Sequence, residues 1–139
     1  GARYVVNGLD ADATEQVKKI TGGEGAEMVF QCTGSPKAAT KAWSYIRRGG
    51  SFCELGFFVN NGDTSYNPHL DMCNKQVKAV GSWTYQSKDW VQSFDFLKES
   101  QERGFPITDL ITHKYKLDEM NEAMEMNISM KGLKIAFVA

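Results

Sequence analysis

No apolar stretch of this chain approaches the roughly 20 residues that a membrane-spanning helix requires. Its opening, GARYVVNGLD, lacks the charged and apolar regions of a signal peptide. A basic cluster is also missing: 16 Lys and Arg against 17 Asp and Glu leave a formal net charge of −1, no electrostatic footprint for nucleic acid or an anionic membrane. Cysteine is scarce. Cys32, Cys53 and Cys73 are odd in number and unpaired in spacing, and two of them sit in apolar runs where a reduced thiol acts as a small hydrophobe, so no disulfide framework is expected. There is no internal repeat and no low-complexity segment. These absences predict a soluble, cytoplasmic protein without nucleic-acid or membrane partners. There is no initiator Met, and strand-like sequence starts two or three residues in, so the chain is expected to be a piece of something longer.

What is present is an ordinary globular composition, 42% hydrophobic and 24% charged over 139 residues, enough for a core. RYVVN (3–7) reads as a strand, followed by a helix in DADATEQVKKI that Asp or Thr caps and a Gly-rich segment stops. EMVFQCT (27–33) is the next strand. Ser35-Pro36 then opens a helix, Ser as N-cap and Pro in the first turn, that the spacing carries through KAATKAWSYIRR to Gly49-Gly50. SFCELGFF (51–58) reads as a strand, NNGD (60–63) as a turn, residues 68–76 as a short helix and VKAVGSW (77–83) as a strand. Strands and helices alternating in this way predict an α/β fold with a parallel sheet. From Ser87, the predicted cap, a long helix carries Trp90, Val91, Phe94 and Leu97 on one face and ends at Gly104. LITHKYKL is a strand, residues 118–131 a helix whose Met120, Ala123, Met124 and Met130 read as core, and LKIAFV (133–138) a closing strand.

The apolar strand at 27–33 ends in three small or polar residues, Thr33, Gly34 and Ser35. In an open parallel sheet, ligands sit outside the carboxyl ends of the strands. Gly34 lets a ligand approach the backbone, the Thr33 and Ser35 hydroxyls offer hydrogen bonds, and the amides of the following helix start offer a weakly positive end. Leu55-Gly56-Phe57 and Gly81-Ser82 end two further strands in the same manner, so three strand ends are expected to line one rim.

The segments GARYVVN, GEGAEMVFQCTGSPKAA, GGSFCELGFF, HLDMCNKQVKAVGSW, LITHKYKLDEMNEAMEMN and GLKIAFV together resemble the C-terminal part of the medium-chain, zinc-dependent alcohol dehydrogenases, especially their polyol and threonine dehydrogenase branch. The resemblance implies a partial Rossmann-type, doubly wound parallel sheet over 1–86. It places a linker helix and a strand-helix-strand segment of the catalytic domain over 87–139. It makes Cys32, Thr33 and Gly34 neighbours of an NAD or NADP cofactor. Backbone groups at Leu55, Gly56 and Phe57 would hold the nicotinamide carboxamide, with Gly81 and Ser82 adding backbone contacts. Lys134 would contact the pyrophosphate as a point charge. The substrate would be a small alcohol or polyol, and the strand at 77–83 would pair with its twin in a homodimer.

The same resemblance marks what this chain does not carry. No GxGxxG follows a strand, and TGGEGAE follows a helix and precedes a strand, the reverse of the required context. The family's catalytic zinc ligands have no counterparts here, so no catalytic or metal-binding residue is assigned. His69 and Cys73, four apart with Asp71 between, offer two ligands where a structural zinc needs four. His113 reads as a strand residue. A zinc-free quinone or enoyl reductase of the same superfamily and a non-enzymatic assembly domain are the alternatives.

Overall fold

The computed structural model describes residues 2–139, in two compact units, one reaching Thr84 and one running from Tyr85 to Ala139. In the first, helix α1 (Ala13–Ile20) precedes strand β1 (Ala26–Gln31), and helix α2 (Pro36–Ala42) leads through a 3-10 turn at Trp43–Tyr45 into strand β2 (Ile46–Glu54). A π-helical turn (Pro68–Cys73) then precedes strand β3 (Lys78–Gly81). The sheet is parallel throughout, in the order β1-β2-β3. The second unit holds helix α3 (Ser87–Glu102), strand β4 (Ile111–Tyr115), helix α4 (Met120–Ile128) and strand β5 (Lys134–Phe137), with β4 and β5 paired in parallel. The α/β architecture with parallel strands is therefore the one the alternating pattern predicts, and His113 is a strand residue on β4.

The core of the first unit is small and aromatic. Trp43 stacks on Phe52 at 4.2 Å between ring centroids, with Ala42 and Ile46 buried beside them and Tyr66 also stacked on Trp43, at 5.1 Å. Because side chains alternate along a strand, Phe52 and its register partner Val29 face this core, whereas Met28, Phe30 and Val80 stay exposed.

Several local expectations are corrected. Residues 3–7 form no strand: β-branched Val5 and Val6 favour extended backbone, but a strand needs a neighbour, and β1 pairs only with β2. The helix expected to reach Arg48 stops at Ala42. The Trp43 carbonyl accepts from Lys75 Nζ at 2.8 Å and Gly49 N–H donates to the Lys75 carbonyl at 2.6 Å. These tertiary bonds draw the following residues into β2, with a bulge where Ala26 faces Ile46 but Met28 faces Ser51. Phe57 and Phe58 lie beyond the end of β2, and 60–63 is irregular, with Gly62 N–H held by the Asn60 side chain. The cap of α3 is Gln86 and not Ser87; the Asp89 carboxylate accepts from the Gln86 N–H at 2.7 Å. Of the residues expected as core there, Met120 and Met124 on α4 and Met130 just past its end are exposed, and only Ala123 is buried. Trp90, Val91, Phe94 and Leu97 of α3 are exposed too, as is Cys32 on the rim. An apolar face is legible from spacing, but what covers it is not.

Candidate functional site

The rim is built at the carboxyl ends of the three parallel strands. The ladder continues one residue past β2 and one past β3: Leu55 N–H donates to the Gln31 carbonyl at 2.9 Å, and Ser82 N–H to the Glu54 carbonyl at 3.0 Å. These bonds bring the Thr33-Gly34, Leu55-Gly56 and Gly81-Ser82 segments to one edge. Gly56 lies so close to Thr33 that a Cβ built on it would overlap the Thr33 carbonyl oxygen and lie 2.7 Å from Gln31 Nε2. Only glycine fits there.

Beneath the rim is a polar pair that sequence reasoning passed over. Gln31 is 3% exposed, and its side-chain amide is fully used. Nε2 donates to the Thr33 carbonyl and to Glu54 Oε1, each at 2.8 Å. Oε1 accepts from the Thr33 N–H at 2.5 Å and from the Thr33 hydroxyl at 2.8 Å. Glu54 Oε1 also accepts from the Gly56 N–H at 2.9 Å. The available signal was a polar residue at the last position of two apolar strands, MVFQ and SFCE, which β-strand register places side by side.

The Thr33-Gly34-Ser35 turn is braced as well. Asn61 Nδ2 donates to the Gly34 carbonyl at 3.1 Å, the Ser35 N–H reaches Thr33 Oγ1 at 3.4 Å, and Ser35 Oγ caps α2 by accepting from the Ala38 N–H at 3.4 Å. The helix has only seven residues and its cap engages the Ala38 amide. By contrast, neither the Gly56 carbonyl nor the Phe57 N–H is engaged in a hydrogen bond among the described residues. Both belong to one trans peptide group, whose carbonyl and N–H point in opposite directions, so each offers a single free contact on its own side of the chain.

Two depressions flank the strand ends. One, of about 510 Å³, is lined by Gln31, Cys32, Thr33, Ser35, Lys37 and Lys41 among others. The other, of about 290 Å³, includes Phe52, Glu54, Tyr66 and Gly81. Lys134 belongs to the second unit, where it opens β5 opposite Ile111 with its side chain exposed. The structure thus brings together eight of the nine expected site positions, 32–34, 55–57 and 81–82, on one set of strand ends. Among the described residues no group of three or more His, Cys, Asp or Glu could hold a metal, and His69 and Cys73 are exposed on their π-helical turn.

Comparison with known proteins agrees with this geometry. Residues 1–99 match the profile of the zinc-binding dehydrogenases. The chain belongs to that family. It is 26% identical over 135 residues to a sorbitol dehydrogenase of Halalkalibacterium halodurans, covering 97% of this chain and 38% of that one. It is 29% identical over 138 residues to an L-threonine 3-dehydrogenase of Thermococcus kodakarensis, covering 99% and 38%. A benzyl alcohol dehydrogenase from Acinetobacter calcoaceticus superposes on the whole chain with a TM-score of 0.83 at 21% identity, over 38% of its own length, and shows the same fold. The chain spans a little over a third of the length of these relatives.

Proposed function

We propose that this chain is the C-terminal part of an NAD(P)-dependent alcohol or polyol dehydrogenase and that its rim forms the nicotinamide side of the cofactor site. The observation that carries the reading is the convergence of Thr33, Gly34, Gly56, Gly81 and Ser82 on the carboxyl ends of three parallel strands, the place where open α/β sheets bind ligands. The bound cofactor supplies hydride exchange with the substrate carbon. This chain's residues bind and orient: backbone groups at Leu55, Gly56 and Phe57 take the carboxamide, and Cys32 and Ser82 border the ring and ribose. Lys134 is assigned to the pyrophosphate and residues 87–139 to the catalytic domain. Zinc is assigned to the whole enzyme, held by residues outside this chain. A cytoplasmic setting suits three unpaired thiols, two of them exposed. Among the described residues, no helix is long and apolar enough to cross a membrane.

The test is titration of the nitrogen-15-labelled chain with NAD+ and NADP+, followed by amide resonances. The expected result is weak, millimolar-class binding with shifts concentrated at residues 33–34, 55–57 and 81–82, because the usual pyrophosphate loop is not in this chain. Shifts that scatter over the surface, or none, would refute the assignment.

We also propose homodimerisation through 77–83. β3 is a sheet edge with one neighbour, and Val80 on it and Trp83 two residues beyond its end are 58% and 69% exposed, with Lys78 the single charged residue of the segment.

A further inference from the structure

The Gln31–Glu54 pair joins two loops, with Gln31 buried at 3% exposure and Glu54 half-buried. One amide group holds the Thr33 backbone by both its N–H and its carbonyl, holds the Thr33 hydroxyl, and reaches across the strand boundary to the carboxylate that holds the Gly56 amide. The amide has one admissible orientation. Turned over, its oxygen would face both a carboxylate oxygen and the Thr33 carbonyl oxygen, while its NH2 would face the Thr33 N–H. The pair is therefore a fixed spacer between the Thr33-Gly34 turn and Gly56.

We propose that Gln31 and Glu54 are positioning residues for the nicotinamide end of the cofactor, setting the separation of the two loops without touching the ligand. The proposal rests on the cofactor reading above. Its chemistry makes an asymmetric forecast. In Glu54→Gln the side-chain oxygen can still accept from both Gln31 and Gly56, so the spacer survives. In Glu54→Leu the acceptor is gone. In Gln31→Glu two carboxylates meet at hydrogen-bond distance and cannot both be ionised there, so one must take up a proton or the loops must part. The carboxyl that takes the proton has a raised pKa, and the shared-proton geometry forms below that pKa. The acid has one O–H where the amide has two N–H donors, so the spacer of Gln31→Glu is loosest with both carboxyls ionised and tightens only in part as pH falls, regaining the bond to Glu54 while the Thr33 carbonyl stays without its donor. The other charged or titratable side chains around the pair are Cys32, Lys37, Lys41 and Tyr45 along the larger depression and Tyr66 along the smaller, and the unaltered chain measured at each pH controls for them.

The experiment measures NAD+ affinity by amide shifts, with hydrogen exchange at the Thr33 and Gly56 amides, for the chain and its three variants at pH 7.5 and pH 5. Glu54→Gln is expected within about twofold of the unaltered chain, and Glu54→Leu and Gln31→Glu about tenfold weaker at pH 7.5, the equivalent of one charge-assisted hydrogen bond. Gln31→Glu alone should regain part of its affinity at pH 5, in step with partly renewed protection of both amides. If the unaltered chain binds NAD+ at the rim but Gln31→Glu binds equally well at both pH values while its amides exchange faster, the positioning role is overturned and the cofactor reading stands. If Glu54→Gln fails as badly as Glu54→Leu, the pairing chemistry is wrong. If the unaltered chain shows no rim shifts, both inferences fall.

Discussion

Thr33 and Gly56 face each other across the β1–β2 boundary so closely that the space a Cβ of residue 56 would need is filled by the Thr33 carbonyl. Gly56→Ala must push apart the two loops or break the bond from Gln31 to Thr33, and a buried polar group left unpaired costs about 1–3 kcal/mol before any strain is added. Gly34 is different. A Cβ there would meet the tip of the Asn61 side chain at 2.9 Å, and a flexible amide can swing aside. Urea unfolding of both variants should show Gly56→Ala destabilised by about 3 kcal/mol or more and Gly34→Ala by about 1 kcal/mol or less. Equal losses would mean that the close approach is not a constraint.

The alkaline limb of stability should contain two opposed contributions. Burial lowers the Lys75 pKa, with Asp71 raising it and Lys18 lowering it further, while burial raises the Tyr45 pKa. Between the lowered Lys75 value and 10.5 the unfolded chain holds more protons at this site, so its contribution to stability rises with pH. From 10.0 up to the raised Tyr45 value the folded chain holds more, so that contribution falls as pH rises. Tyr45→Phe, which removes only the second, should therefore gain stability relative to the unaltered chain as pH is taken from 9 to 11 in steps of about half a unit, read from urea midpoints. A constant difference across that range would remove Tyr45 from the account.

How far the sequence carries depends on whether a feature is local. Ser35-Pro36 writes a helix start into adjacent residues, and the structure shows that cap. The strand ends at Thr33-Gly34, Gly56 and Gly81 were legible because each is a short apolar run followed by a turn residue. RYVVN misled because strand membership is a relation to a neighbour, and its own residues carry only the preference for extended backbone. The early end of α2 was hidden for the same reason: it is enforced by Lys75, more than 30 residues away. The exposed faces of α3 and α4 show the limit of periodicity, which identifies an apolar side but not its partner. Gln31 and Glu54 look unremarkable apart and acquire a role only once register places them 2.8 Å from each other.

Alone, the 139-residue chain should have no dehydrogenase activity. It offers neither a metal cluster among its described residues nor the Gly-rich phosphate loop, so it has no metal to polarise a substrate oxygen and only Lys134 for the pyrophosphate. Incubation with NAD+ or NADP+, added zinc and a panel of alcohols and polyols is expected to yield no reduced cofactor above a protein-free control. Clear turnover would show that a complete site exists within this chain.

The edge-pairing hypothesis makes a directional prediction that depends on which backbone groups point outward. Ser82 N–H points to the Glu54 carbonyl, and on a strand the N–H groups of residues two apart share a side. The Val80 N–H therefore points inward to β2, while those of Ala79 and Gly81 point to the open edge. Proline at 80 would cut the β2–β3 ladder and report on folding. Proline at 79 removes an outward donor at a position where an edge strand tolerates it. The exposed Trp90, Val91 and Phe94 of α3 offer a competing route to self-association. Light scattering of the chain, Ala79→Pro and Phe94→Glu separates the two routes. We expect a dimer of the unaltered chain, a dimer of Phe94→Glu, and a monomer of Ala79→Pro that keeps the stacked Trp43–Phe52 core, read from tryptophan fluorescence. If Ala79→Pro stays dimeric and Phe94→Glu becomes monomeric, the helix face is the interface and β3 is not.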